Sequence, residues 1–114
     1  MDEQEIQWKK IEDFFKENFT LGETPSMDTI LYLIGVQELG KGFIDFSKDD
    51  KLNLMHIGAC AVLEPKGFYE KKGTDSDGWP VYVQKKSLPS LEGKEHINFY
   101  KKAIIEYFKR EGLI

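Results

Sequence analysis

The chain has 114 residues, of which 40% are hydrophobic, 13% aromatic and 32% charged, with a net charge of −4 and one cysteine. That length suits one folded domain over residues 1–114, able to bury a core without metal or disulfide support, and the composition is that of a folded globular protein and not a disordered one. A lone Cys60 excludes a disulfide framework and a four-cysteine zinc site.

Charge is unevenly spread. Residues 1–28 carry eight acids against three bases, whereas residues 65–89 carry five lysines against three acids. Overall acidity of this kind argues against nucleic acid as a partner, since a phosphate backbone calls for a strong basic footprint. The acidic start Met1-Asp2-Glu3-Gln4-Glu5 lacks the basic-then-apolar order of a secretory signal. No apolar run approaches the roughly 20 residues of a membrane span. A cytoplasmic protein with no membrane association is expected.

In chain order, Trp8, Ile11, Phe15 and Phe19 recur at helical spacing, widened by Phe14, and predict an amphipathic helix from about Asp2 to Phe19. Thr20-Leu21-Gly22-Glu23 breaks it. Thr24-Pro25 then supplies a capping residue followed by a proline at the first helical position, so a second helix is expected over Pro25 to Leu39. Its centre, Ile30-Leu31-Tyr32-Leu33-Ile34-Gly35-Val36, is apolar on every side, which marks a buried element. Gly40-Lys41-Gly42 stops it.

Ser47, with Asp50 three residues on, approximates a capping box and opens a third helix, Lys48 to Leu63. Pro65 ends it by disfavouring helical geometry at Glu64. Gly35 and Gly58 lie inside these two apolar helices, where glycine costs up to about 1 kcal/mol against alanine; close approach of the two helices is the expected return.

Phe68 to Lys72 and Trp79 to Gln84 read as two strands joined by the Asp- and Gly-rich turn Gly73-Thr74-Asp75-Ser76-Asp77-Gly78. Strand alternation places Trp79, Val81 and Val83 on one face, expected against the helices, and Pro80 marks an edge strand. A last helix runs from about Leu91 to Arg110, with Ile97, Tyr100, Ile104, Tyr107 and Phe108 on its apolar face and Gly112 beyond it. The expected fold is mainly α, in the α+β class: four helices with one two-stranded antiparallel hairpin between the third and fourth.

Few places offer chemistry. His56 and Cys60, four residues apart, share one face of the third helix; with Glu38 from the neighbouring helix they form a candidate metal set, or a thiol with its base. The competing reading makes Cys60 a small core residue. Asp75-Ser76-Asp77-Gly78 has the look of a calcium loop. Aligning Gly78 with the sixth loop position, however, puts Gly73 first and Gln84 twelfth, so the leading aspartate and closing glutamate are missing. No phosphate-loop or nucleophile-elbow motif occurs, and no catalytic residue or cofactor is indicated. Lys71-Lys72 and Lys85-Lys86 stand beside Tyr69 and Tyr82 on the hairpin, either as a basic wing for nucleic acid or as charges that protect a sheet edge.

Three helices followed by a hairpin is similar in order to a winged-helix domain, which would make the third helix a recognition helix; Leu54 to Leu63 has no basic face for that role. The segments Ile34-Gly35-Val36-Gln37-Glu38-Leu39-Gly40, Leu54-Met55-His56-Ile57-Gly58-Ala59-Cys60 and Asp75-Ser76-Asp77-Gly78-Trp79-Pro80 resemble stretches of a small bacterial protein family without an assigned activity. That resemblance implies no site residues.

Two helices apolar all round, together with an aromatic hairpin, are much to cover in one small unit. The expectation is a non-catalytic interaction domain, a homodimer or the docking site of another protein, with Tyr32, Tyr69, Trp79 and Tyr82 as candidate contact residues.

Overall fold

The computed structural model describes residues 2–42 and 44–114. Its elements are α1 (Glu3–Asn18), α2 (Met27–Leu39), α3 (Lys48–Leu63), β1 (Tyr69–Thr74), β2 (Pro80–Gln84) and α4 (Gly93–Arg110), with β1 and β2 forming one antiparallel hairpin. They fall into two compact units. Residues 1–26 and 89–114 form one, and residues 27–88 form the other.

In the first unit, the Asp2 carboxylate accepts from the Glu5 amide and caps α1, satisfying one of the four amides that a helix start leaves open. Trp8, Ile11 and Phe15 are buried, as the helical stripe predicts, whereas Phe19 is exposed just past the helix end. Phe108 of α4 is the meeting point: its ring lies edge-on to Phe14 at 5.7 Å and to Phe15 at 5.6 Å. In α4, Tyr107 and Ile104 are buried, and so are Ala103 and Ile105, but Ile97 is exposed. The helix begins at Gly93, two residues later than expected, with no side-chain cap on Glu92. Its apolar stripe therefore lies in the second half of the helix.

Beyond α1, Thr20 and Gly22 donate their amides back to the Phe15 and Lys16 carbonyls. Leu21 sits between them at φ 51° and is 98% exposed. A Cβ in the left-handed region meets the following carbonyl, at about 1–2 kcal/mol, and no packing of the leucine offsets it.

In the second unit, α2 begins at Met27 and not at Pro25, with Ser26 ahead of it and Asp28 in its first turn. Ser47 caps α3 as expected, its hydroxyl accepting from the Asp50 amide at 3.1 Å. The two helices touch backbone to backbone. A Cβ built on Gly35 would stand 2.0 Å from the Leu54 carbonyl oxygen, and one on Gly58 would stand 1.9 Å from that of Leu31. Val36, Leu39, Phe46, Leu54 and Ile57 form the adjoining core.

The hairpin packs on α3, but with the opposite face to the one predicted. Pro80 is buried and Tyr82 half-buried, whereas Val81 and Val83 are 39% and 42% exposed. Trp79 precedes β2 in the turn, so it does not share the alternation of Val81 and Val83; it joins Tyr82 and Tyr32 against the core cluster. Register runs Tyr69↔Gln84, Glu70↔Val83 and Lys71↔Tyr82, then shifts before Thr74↔Pro80. A shift of this kind lets the strand bend toward its tip. The order of elements is that of a winged helix, yet α1 groups with α4 instead of with α2 and α3.

Two stability predictions follow from the backbone. Alanine at Gly35 or Gly58 gains helix propensity but must push two helix backbones apart; each substitution is expected to destabilise by about 3 kcal/mol, read from urea unfolding, and a neutral or stabilising result contradicts the contact. Leu21→Gly is expected to stabilise by about 0.5–1 kcal/mol in the same assay, since it removes the left-handed strain and no buried surface.

Candidate functional site

Of the three side chains in the candidate metal set, the structure brings two together. His56 Nε2 lies 3.5 Å from Cys60 Sγ, one helical turn away. Glu38 does not complete them: among the described residues, no group of three or more His, Cys, Asp or Glu side chains is arranged to hold a metal ion. The two partners have opposite surroundings. His56 is exposed, and Cys60 has no accessible surface.

Burial pushes the Cys60 thiol up from 9.0 to about 11, because an apolar environment disfavours the thiolate. At neutral pH the group is a protonated thiol beside an imidazole, which is weak chemistry for a nucleophile. Tyr69 lies next to this pair, its ring edge-on to His56 at 6.2 Å, and its phenol is raised by burial and by the proximity of Cys60.

His56 opens onto a cavity of about 210 Å³ between α3 and the hairpin. Asn53, His56 and Ile57 come from α3, and Asp75, Trp79 and Pro80 from the hairpin. Asp75 is fixed by the turn: its Oδ1 accepts from the Asp77 and Trp79 amides, both at 2.9 Å, while its own amide donates to the Trp79 carbonyl. This is turn chemistry of the kind aspartate favours, and it commits that oxygen to backbone donors. Lys41, in the link after α2, donates to the Asp77 carbonyl at 2.6 Å and so ties the turn to the helical part of the unit.

The four candidate contact aromatics do not form one open surface. Tyr32, Trp79 and Tyr82 are half-buried against the core cluster, with Phe46 edge-on to Tyr32 and to Trp79 at 6.4 Å each. Tyr69 stands apart, on His56. Among the hairpin lysines, Lys72 and Lys85 pair with Glu70 at 3.0 and 3.5 Å, and hydrogen bonding to Lys72 leads the effects that hold the Glu70 carboxyl below its ordinary range. Lys86 lies over the Phe68 ring at 4.4 Å. The Lys71 amide donates to the Glu64 carboxylate, which covers that part of the β1 edge.

Sequence reasoning found His56 and Cys60 by their spacing but missed Asn53 and the cavity. Asn53 is one turn ahead of His56 on α3, so the spacing signal was present; what it lacked was the hairpin wall about 20 residues on.

No family model, curated protein or solved structure matches the chain, so its function is read from its own residues. Among the described residues, no helix is long and apolar enough to cross a membrane.

The Cys60 environment makes a pH prediction. The folded thiol titrates near 11 and the unfolded one near 9.0, so the folded state holds the extra proton between those values. Its contribution is fully present below about pH 9 and is lost as pH rises toward 11, by about 2 kcal/mol. Unfolding free energies of the wild type and Cys60→Ala, measured across pH 8–11, are expected to converge by that amount; parallel curves contradict a buried neutral thiol.

Proposed function

We propose that the chain is a non-catalytic interaction domain of the cytoplasm that pairs with a second copy of itself through the outward face of the hairpin. The observation that supports this reading is the exposure of Val81 and Val83, two neighbouring β-branched residues on the face turned away from the core. In a half-buried sheet that face ordinarily carries polar residues. The interface first expected, on α2 and α3, is in large part occupied within the unit, where Gly35 and Gly58 bring the helices together and Tyr32, Trp79 and Tyr82 pack over the flanking core.

Charge on the same face suits a two-fold pairing. Glu70 lies between Lys72 and Lys85, so each copy offers one acid and two bases around its valines, and a two-fold axis sets the same patch against itself. A single protonated thiol with no accessible surface is compatible with a reducing compartment.

Light scattering with mass measurement tests the proposal. At about 50 µM, a concentration that reveals micromolar association, the mass is expected at twice the 13.2 kDa of one chain. The double substitution Val81→Lys, Val83→Lys is expected to return it to one chain with an unchanged far-ultraviolet spectrum. A wild-type monomer, or a dimer indifferent to those lysines, overturns the assignment.

A further inference from the structure

The cavity beside His56 combines features that a self-association surface does not use. Its walls hold three polar side chains with unspent hydrogen-bonding capacity. Among the described residues, the Asn53 amide makes no hydrogen bond, His56 engages Cys60 through Nε2 alone and leaves Nδ1 open, and Asp75 uses Oδ1 for the turn and leaves Oδ2 open. The apolar walls are Ile57, the Trp79 indole and the Pro80 ring.

We propose that this cavity binds a neutral polyhydroxylated ligand the size of one sugar ring. Size is the first reason: about 210 Å³ falls below the roughly 300–1,000 Å³ of sites for drug-sized molecules. Chemistry is the second. An amide and a neutral imidazole both donate and accept, and a carboxylate accepts, in the plane of their atoms, which matches adjacent hydroxyls, while an indole with a proline ring offers a flat apolar wall to the C–H face of a pyranose.

Charge is the third reason. Asp75 is the one carboxylate at the wall, and the Lys41 ammonium stands at the same turn, on the Asp77 carbonyl and beside Gly78. Two backbone amides share the charge on Asp75 Oδ1, and among the described residues the lining holds no second charged side chain, so a highly charged ligand finds no complementary cluster there. Preorganisation is the fourth. Asp75 is pinned by two amides, Trp79 is held edge-on by Phe46, and α3 is locked against α2 at Gly58, so little ordering opposes binding.

The two tryptophans make the test direct. Trp79 lines the cavity, and Trp8 belongs to the other unit and serves as the control. In a ¹⁵N-labelled chain, the two indole N–H resonances are followed while methyl glycosides of glucose, galactose, mannose and N-acetylglucosamine are added singly. At least one glycoside is expected to shift Trp79 saturably, with a dissociation constant of about 1 mM, and to leave Trp8 in place. Asn53→Ala and His56→Ala alter exposed side chains, and each is expected to weaken the effect about 3- to 10-fold, the loss of one hydrogen bond. The proposal is overturned by an absence of response up to about 100 mM, by equal shifts at Trp8, by a Trp79 shift that ignores both substitutions, or by a response to methylguanidinium in place of the glycosides. Repeating the titration on the Val81→Lys, Val83→Lys chain keeps this result separate from self-association.

Discussion

The residue-27-to-88 unit depends on one contact, the meeting of two helix backbones at Gly35 and Gly58. Each glycine lies where the other helix presents a carbonyl oxygen, Leu54 for one and Leu31 for the other. Interaxial distance between packed helices is set by the side chains at the crossing, and here there are none. The close approach turns Leu54 and Ile57 into the shared core with Val36 and Leu39. It also fixes what α3 shows on its other sides: Asn53 and His56 reach the hairpin cavity, and Leu52 is left exposed. Core and cavity are two faces of a single helix placement.

Cys60 and His56 show how sharply environment changes over one helical turn. The sulfur is sealed, and its acidity is suppressed by the missing solvent; the imidazole four residues earlier is exposed. Reactive thiols need an electropositive, partly open setting, and this one has an apolar, closed setting. The His–Cys pairing therefore orients the ring more than it activates the sulfur. The face of His56 that remains borders the cavity, beside Asn53 and Asp75.

Much of this was legible from residues alone. Glycine inside a long apolar helical run is costly unless a neighbour needs the room, and that reasoning located the Gly35–Gly58 contact. Ser47 announced α3 by its position before an acidic first turn, and Asp75 with Gly78 marked the turn of the hairpin. The hairpin face was misread because alternation sorts residues into two sets without saying which set turns inward. Trp79, Val81 and Val83 are the more apolar set on paper, yet Pro80 and Tyr82 meet the core, and Trp79 stands outside the strand. Likewise, Thr24-Pro25 is a sound capping pattern, yet the helix begins two residues later, at Met27. The cavity was invisible for a different reason: its two walls are separate in sequence and acquire meaning only when the hairpin folds back on α3.

The division of the chain has a consequence for how it forms. Residues 27–88 are contiguous, and their partners are near one another along the chain, so that unit can condense as soon as its own hairpin exists. α1 has no such option: its Phe15 meets Phe108, with almost the entire sequence in between. Contacts of long sequence separation form slowly, since the loop must close before they are rewarded. During vectorial synthesis α1 therefore waits as an acidic, amphipathic segment until α4 has been made.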